Sequence, residues 1–400
     1  MASLLTRLGA VTVSIMTAVS AGAACSFPSE SGGASASPTP TTATPSAAVS
    51  TVTHAACVVP LPEAWQRAIT ASDVDTAGIS AVPRAVGPAG EVIAVRDNGD
   101  TRDLILIGAD ESVTEIYAVP EPDRNDVGFV AIDEKWIVVG VDRIPRNSNG
   151  VLPGLVRVDV LDRSGGPART VTTQSDEDYR SGGPTIDSVA LFDGKVYWIT
   201  HESFSNTQGT MNSFDPATGT IAEIGSGRMG LVQSAPAGLT TMADGRRGYP
   251  SATVWQRTDI RLNAKLPEQV ADAVGGGPDR LSLATGGGAY AWISDVERGG
   301  NGVAWWSPST GIRRVTGDLV KFSDVLPTLF VAGPYVFIDR GSPGGDTEAT
   351  VIDTRSGAVA YLPEMVTDAD GGTIVLRLSK NKMDSRVGVM WADRLDPLAC

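Results

Sequence analysis

FDPATGTIAEI, residues 214–224, is the stretch that decides how this chain folds, because its turn recurs along the sequence. Close copies are WSPSTG at residues 306–311 and IDTRSG at residues 352–357, and weaker copies are LDRSG at 161–165 and GADES at 108–112. In the close copies an Asp or Ser, which can bond to its own backbone, precedes a glycine that supplies the positive φ needed to close a turn. The repeat therefore predicts β-hairpins along most of the chain.

The spacing of these turns predicts the number of repeated units. The intervals are 52, 53, 92 and 46 residues, measured in order between Asp110, Asp162, Asp215, Ser307 and Asp353. Because 92 is twice 46, one degenerate unit is expected in the long interval, near Trp255. A last unit ends with VGVMWAD around Trp391, which brings the expected total to seven.

Each unit has the pattern of four short strands. In the clearest unit the expected strands are Ile186–Phe192, Lys195–Thr200, Met211–Asp215 and Thr220–Ile224. Many strands are apolar almost throughout, which is typical of sheets that stack face to face. Only two short stretches, after Pro62 and after Pro267, look helical.

Four-stranded repeats of this length resemble β-propeller blades, particularly those of the kelch, PQQ-type and TolB-like groups. The resemblance covers roughly Cys57 to Cys400, and the expected propeller domain is residues 54–400. It implies an all-β fold, namely a seven-bladed β-propeller of four-stranded blades that is closed near the chain termini. It implies little about activity, because this architecture serves many unrelated functions.

The first 24 residues have the pattern of an export signal. Arg7 precedes an apolar run, Leu8–Val19, which is followed by the small residues Ala21–Ala24. Cys25 comes next, so the stretch resembles the lipobox of exported bacterial lipoproteins of the actinobacterial type, which implies a lipidated Cys25. Gly22 departs from that motif, which usually has Leu or another branched apolar residue there, so secretion without an anchor stays open.

Residues 25–53 are expected to form a disordered tether. They are almost entirely Ser, Thr, Ala, Gly and Pro, with one charged residue, Glu30, and cannot bury a core. A flexible segment of this length would hold a domain on the order of 30 Å from its anchor.

The cysteine count is consistent with an anchor and predicts a disulfide. There are three cysteines, and lipidation of Cys25 would leave Cys57 and Cys400 as a pair. We expect the segment ACVVPL around Cys57 to add a strand to the unit that contains VGVMWAD, and the disulfide to lock this seam. The alternative is that the two cysteines lie near the termini by chance.

Charge and composition exclude several functions. The net charge of −14 disfavours nucleic-acid binding and suits cationic or neutral partners, or serves solubility alone. Two histidines, His54 and His201, cannot build a multi-histidine metal site, and no GxSxG motif occurs. The GxGxxG match at residues 225–230 is followed by Pro236 and Gly238 rather than by a helix, which argues against a dinucleotide site.

The segment RDNGDT, residues 96–101, is similar to sialidase Asp-boxes and to acidic loops that bind calcium. Val95 replaces the serine and Arg102 the tryptophan of an Asp-box. A calcium ion is therefore possible here, although a polar turn between two strands explains the same residues.

The candidate binding face follows from the strand order. If each blade runs from the centre to the rim, the loops after the second strands emerge on the face where propellers usually bind ligands. The residues at or beside these strand ends are Asp97, Asp142, Arg143, His201, Glu202, Asp295, Asp339 and Arg340. They predict a ring of mixed charges around the mouth, or else polar residues that cap turns and face water.

We therefore expect an exported, monomeric, lipid-anchored propeller on the outer face of the cell membrane, which binds a protein or a cell-envelope component and no nucleic acid. Catalysis is not expected in this interpretation. The alternative is an extracellular hydrolase or lyase that acts on a glycan or lactone through acidic residues at the mouth. A shared acidic pair would favour the enzyme, and an open face without converging carboxylates would favour the binding module.

Overall fold

The computed structural model is mostly β-structure, as the repeats predict. The residues it describes are 51–143, 155–176, 183–202, 208–228, 232–236, 238–242, 257–263, 265–274, 282–294, 302–317, 319, 328–339, 349–381 and 384–400. The expected export signal, Cys25 and the tether up to residue 50 lie outside these ranges, as do Trp255, Asp295 and Arg340. Among the described residues, no helix is both long and apolar enough to span a membrane.

The described strands form successive antiparallel meanders, which we number I to VII. Before them come β1 (Val52–Ala55), β2 (Cys57–Val58) and helix α1 (Glu63–Ala71). Meander I has β3 (Ser80–Val86), β4 (Val92–Asp97), β5 (Arg102–Ile107) and β6 (Val113–Ala118). Meander II has β7 (Asn125–Ile132), β8 (Trp136–Arg143), β9 (Leu155–Asp162) and β10 (Arg169–Thr173). Meander III has β11 (Thr185–Phe192), β12 (Lys195–His201), β13 (Gln208–Asp215) and β14 (Thr220–Arg228).

The second half continues the same pattern. Meander IV has β15 (Val232–Ala235), β16 (Gly238–Met242) and β17 (Arg257–Asn263), and helix α2 (Glu268–Val274) follows. Meander V has β18 (Ala284–Gly286), β19 (Ala289–Ser294), β20 (Gly302–Ser307) and β21 (Gly311–Thr316). Meander VI has β22 (Thr328–Ala332), β23 (Tyr335–Asp339), β24 (Ala349–Asp353) and β25 (Ala358–Leu362). Meander VII has β26 (Met365–Asp370), β27 (Thr373–Asn381) and β28 (Asp384–Trp391), and a 3-10 turn (Ala392–Arg394) follows.

The recurring turn is built as the sequence predicts. In the first copy, the Gly219 N–H donates to the Asp215 carbonyl at 2.8 Å, and the Asp215 carboxylate accepts the Ala217 N–H at 2.9 Å. The Asp353 turn repeats both bonds, at 2.8 Å from Gly357 and 2.9 Å from Arg355. Gly219 and Gly357 have φ of 73° and 78°, which only glycine adopts without strain.

Most neighbouring meanders stack face to face, and the last meander stacks on the first. Buried apolar residues join I to II, II to III, III to IV, V to VI and VI to VII. One further cluster joins VII to I, and it includes Val375 and Val389 of VII with Val92 and Ile105 of I. The first strands also contact one another in series, from β18 through β22, β26, β3, β7 and β11 to β15. We call these first strands the inner strands.

The seam between the two ends of the chain differs from the expected one. We expected the Cys57 segment to pair with the VGVMWAD strand, and this was wrong: β2 pairs in parallel with β25 of meander VI, and β1 pairs in parallel with β21 of meander V. Residues 72–74 take the expected place instead, because helix α1 first carries the chain across the core between VI and VII. There, the Val74 N–H donates to the Val387 carbonyl of β28 at 2.9 Å.

The expected disulfide is present between Cys57 and Cys400, whose Cα atoms lie 6.1 Å apart. The C-terminal segment is also held by hydrogen bonds. The Leu398 N–H donates to the buried Asp353 carboxylate at 3.0 Å, and the Trp65 ring N–H donates to the Asp396 carbonyl at 2.8 Å. The Cys57 strand and the C-terminal segment are therefore both fixed against meander VI.

Candidate functional site

Four of the candidate residues occupy equivalent register positions. Each ends the second strand of its meander and pairs with the first residue of the inner strand; the pairs are Ser80 with Asp97, Asn125 with Arg143, Thr185 with His201, and Thr328 with Asp339. Asp142 is next to Arg143, and Glu202 follows His201 as an exposed residue. Asp295 and Arg340 lie outside the described residues. These strand-end residues occupy equivalent positions in their meanders, and we call them, together with Asp142 and Glu202, the mouth layer.

Two charged residues of the mouth layer have close ionic partners. The Asp97 carboxylate accepts a hydrogen bond from the Arg102 guanidinium at 2.5 Å, and Arg143 lies 2.5 Å from Asp176. Burial tends to raise the pKa of Asp97, but hydrogen bonds from Arg102 and the Gly99 N–H outweigh it and the pKa is lowered. These contacts match the interpretation of strand-end residues as structural.

The segment that is similar to calcium loops forms a self-bonded turn. The Asp97 carboxylate accepts the Gly99 N–H at 2.8 Å, and the Asn98 side chain accepts the Thr101 N–H at 2.7 Å. In the part of the chain that the structure describes, no group of three acidic, histidine or cysteine side chains converges as a metal site would require. Residues 225–228 of the GxGxxG match belong to strand β14, so they form no phosphate loop.

His201 is buried and paired with an acid. Its Nδ1 lies 2.6 Å from the Asp187 carboxylate, which projects from inner strand β11. Gly209 on β13 leaves room for the ring, because a Cβ there would lie 3.0 Å from Nε2. Asp187 thus fixes the orientation of the imidazole, as a carboxylate does in many histidine sites.

Four inner strands carry a β-bulge at a similar place. The register with the second strand shifts by one residue in β3, β7, β11 and β26, and the extra residues are Arg84, Gly128, Asp187 and Thr367. These strands belong to VII, I, II and III, which are consecutive in the stack. A bulge turns side chains out of the normal alternation, and bulges are frequent beside active sites.

The bulges bring together a cluster of opposite charges, the charged cluster, made of Arg84, Asp126, Asp142 and Arg377. Asp126 and Asp142 face each other across the β7–β8 pair. The Asp142 carboxylate lies over Gly128, where a Cβ would come within 2.2 Å of its Oδ2. Only glycine at this bulge leaves space for that carboxylate.

The electrostatics of the charged cluster are those of crowded, partly dehydrated groups. Burial, with the Asp126 charge added, raises the pKa of Asp142 to about 6, although Arg84 opposes the rise. The Arg84 side chain reaches solvent, yet the protein atoms around it remove enough water to lower its pKa; the charge of Arg377 acts in the same direction. Asp126 and Asp142 partly offset this effect.

Two members of the charged cluster have unused hydrogen-bonding capacity. Asp126 lies 3.5 Å from Arg102, and Arg377 donates to Ser385 at 2.8 Å. Arg84 and Asp142, by contrast, make no hydrogen bond or ion pair with any described residue, and their charged atoms lie beyond the 4.0 Å of an ion pair. They are close enough to change each other's pKa and too far apart to bind each other.

Sequence reasoning named Asp142 and His201 but missed their partners. Arg84, Asp126, Asp187 and Arg377 lie within strands rather than at the ends of second strands. A usable signal was present, since Gly128 and the polar residues in NDVGF and TIDSV interrupt otherwise apolar strands, and glycine inside a strand often marks a bulge.

Comparison with known proteins gives structural neighbours only. No protein-family model matches the sequence, and no curated protein matches it. One similar solved structure is a virginiamycin B lyase from Staphylococcus aureus with quinupristin, at 12% identity and a TM-score of 0.42, covering 79% of this chain and 97% of the other.

Two further neighbours are similar to the same extent. They are an oligogalacturonate lyase in complex with manganese (12% identity, TM-score 0.43, covering 76% of this chain and 87% of the other) and the β-propeller domain of the Trilobed protease from Pyrococcus furiosus (10% identity, TM-score 0.44, covering 78% and 95%). The neighbours are β-propeller proteins. Similarity at this level supports no argument about the activity of this chain.

Proposed function

We propose that residues 54–400 form a closed seven-bladed β-propeller that acts as an extracytoplasmic binding module for a protein or cell-envelope component. The closure is supported by the packing of meander VII on meander I and by the serial contacts among the inner strands. In such a ring the inner strands border a central channel, and the charged cluster lies at its mouth.

One observation carries the binding function: among the residues that the structure describes, solvent-reaching Arg84 and half-buried Asp142 have no hydrogen bond or ion pair, although the protein around them shifts the pKa of both. Polar groups in such places are normally satisfied by protein, water or ligand. A few convergent polar groups in a concave site are what fixes a bound ligand. Asp97 and Arg143, in the mouth layer, already have ionic partners, so the charged cluster is the better site for recognition.

The test is capture of a partner from envelope extracts. We would immobilise the full-length chain carrying Cys25→Ser, and compare it with the same chain carrying Arg84→Met and Asp142→Asn. A matched control carries Arg67→Met and Glu63→Gln, an exposed ion pair on helix α1. We expect a component that binds the parent and the control and is lost from the double variant; equal capture by all three would contradict the proposal.

The tether and its anchor remain part of the proposal. A lipidated Cys25 followed by the Ser/Thr/Pro/Ala-rich segment would keep the propeller outside the membrane as a monomer. The expected result is palmitate label on the parent chain and release of Cys25→Ser into the medium. Unlabelled parent protein in the medium would show secretion by ordinary cleavage instead.

A calcium ion is a separate proposal for the turn at residues 96–101. Thermal unfolding should then begin at a higher temperature with calcium than with a chelator, and the difference should vanish in Asp97→Asn. An unfolding temperature that calcium does not change would contradict calcium binding at residues 96–101.

The second candidate is an extracellular hydrolase or lyase that acts on a glycan or lactone. It is favoured by the facing carboxylates of Asp126 and Asp142, since a carboxyl group with a pKa near 6 can give or take a proton near neutral pH. If Asp142 is the general acid, turnover should fall as the pH rises through about 6, and Asp142→Asn should abolish it. Absence of turnover on polysaccharide and lactone panels would leave the binding module.

A further inference from the structure

The turn between β4 and β5 places an asparagine directly before a glycine. Asn98 and Gly99 are both exposed at the tip of this turn, and the Asn98 N–H donates to the Thr101 carbonyl at 3.2 Å. A Cβ built at Gly99 would meet no atom within 4 Å outside its chain neighbours. Because glycine has no side chain, nothing hinders the approach of its backbone nitrogen to the carboxamide of Asn98.

The Asn98 side chain is held by its oxygen alone. Oδ1 accepts the Asp100 N–H at 3.0 Å and the Thr101 N–H at 2.7 Å. Nδ2 makes no hydrogen bond with any residue that the structure describes. Two backbone donors on a carbonyl oxygen stabilise the negative charge that develops there during nucleophilic attack, as in an oxyanion hole. The carboxamide is thus activated at its carbon, and its nitrogen is free to leave.

Asp97 supplies a proton acceptor for the attacking nitrogen. Its Oδ1 accepts the Gly99 N–H at 2.8 Å, and its Oδ2 accepts the Nε–H of Arg102 at 3.1 Å. Burial tends to raise the pKa of Asp97, but the hydrogen bonds from Arg102 and Gly99 prevail and lower it, so the carboxylate is ionised at neutral pH. The N–H that must lose its proton therefore already points at a base.

We propose that Asn98 is a site of self-catalysed modification, at which the folded turn converts the asparagine into aspartate and isoaspartate. The Gly99 nitrogen forms a bond with Asn98 Cγ, and the bond from Cγ to Nδ2 breaks, which gives a succinimide ring. The Gly99 proton passes through the Asp97 carboxylate to Nδ2, which leaves as ammonia. Water then opens the ring at either carbonyl.

The product carries an additional negative charge beside Asp97 and Asp100, in the turn that is similar to calcium loops. The modification therefore changes the charge of the mouth layer without any enzyme or cofactor. It is independent of the proposed binding function.

The experiment compares the rate of conversion in the folded and the unfolded chain. The full-length Cys25→Ser chain is incubated at neutral pH, either folded or unfolded in guanidinium chloride. Trypsin then releases residues 97–102, and mass spectrometry against synthetic standards quantifies the asparagine, aspartate and isoaspartate forms. This peptide excludes the other Asn–Gly pairs, at residues 149–150 and 301–302. We expect Asn98 to convert at least about threefold faster in the folded chain.

A matched pair of variants tests the role of Asp97. Asp97→Asn keeps an acceptor for the Gly99 N–H but removes the base, whereas Asp100→Asn makes the same charge change and keeps the backbone donor of residue 100. In the folded chain, Asp97→Asn should slow the conversion of Asn98 at least about threefold relative to Asp100→Asn. Fragmentation of the peptide locates the change at residue 98.

Either of two results would overturn the inference. One is conversion in the folded parent chain that is no faster than in the unfolded chain. The other is an equal rate in the two folded variants. The first comparison uses a single sequence, so it does not depend on how the variants fold.

Discussion

At the scale of single residues, the site depends on the absence of a side chain at Gly128. Gly128 lies at the bulge of β7, and the Asp142 carboxylate occupies the volume that a side chain there would need. The carboxylate is short and half-buried, so it has little freedom to move away. The identity of residue 128 therefore decides whether Asp142 can take its observed position.

Gly128→Ala tests this contact. We expect it to destabilise the fold by about 1–3 kcal/mol, which is typical of overpacking, and to weaken ligand capture. The measurement is urea unfolding of Gly128→Ala, Asp142→Ala and the double variant. A coupling energy of about 0.5 kcal/mol or more, in the sense that Asp142→Ala relieves the clash, is expected for residues in contact. Additive effects would show that the two residues do not touch.

Asp368 gives a prediction about pH. It is partly buried beside the seam between VII and I, where its carboxylate accepts the Val86 N–H at 2.9 Å and the Ala369 N–H at 2.8 Å. Burial raises its pKa from 3.8 to about 6 despite these bonds. The folded chain therefore binds more protons than the unfolded chain between these values, so the contribution of Asp368 to stability falls as the pH rises from about 4 to about 6.

The measurement is chemical unfolding at several pH values from 4 to 7. Relative to the parent chain, Asp368→Asn should remove a decline in unfolding free energy across that window, and the exposed control Asp100→Asn should leave it. An identical pH dependence in the parent and Asp368→Asn would contradict the assignment.

At the scale of elements, the sequence predicted the hairpin turns, because these depend on local chemistry. An Asp that bonds its own backbone and a glycine with positive φ are enough to place the hairpins at Asp215 and Asp353. The equivalent positions of the strand ends followed from the same repeat. The bulges did not, because an extra residue in a strand is selected by its pairing partner and its neighbours rather than by its own propensity. Arg84 and Asp187 were missed for that reason.

Sequence reasoning also failed to identify residues 72–74 as the segment that pairs with β28, and this pairing can be tested. Residues 72–74 have no strand-like pattern, yet the Val74 N–H donates to Val387. Val74→Pro removes that donor, and we expect a loss of about 1–3 kcal/mol beyond that of the packing control Val74→Ala. Urea unfolding measures both. Equal losses would mean that the hydrogen bond does not contribute to closure.

At the scale of the whole molecule, the proposed closure of the ring has a covalent part and a non-covalent part. The Cys57–Cys400 disulfide joins residues 343 positions apart, and the bonds from Leu398 and Trp65 hold the same segment independently. The cysteine pairing could be predicted from the count of three, but the sheet that receives the N-terminal strands could not. That choice depends on the path of helix α1 across the core.

Removal of the disulfide should weaken the fold without abolishing it. For the Cys57→Ser and Cys400→Ser double variant we expect a loss of about 2–5 kcal/mol, the usual range for a native disulfide. Thermal unfolding and intact mass with and without reductant measure the effect. Complete unfolding of the variant at room temperature would show that the non-covalent contacts alone cannot hold the C-terminal segment against meander VI.

The central claim is that Arg84 and Asp142, which lack a direct partner in the described part of the chain, hold the ligand of the proposed propeller. The most direct measurement is the amount of envelope component retained by the parent chain, by Arg84→Met with Asp142→Asn, and by the control Arg67→Met with Glu63→Gln. The account expects retention by the double variant to fall at least about tenfold below that of both other chains. Undiminished retention by a folded double variant would contradict it.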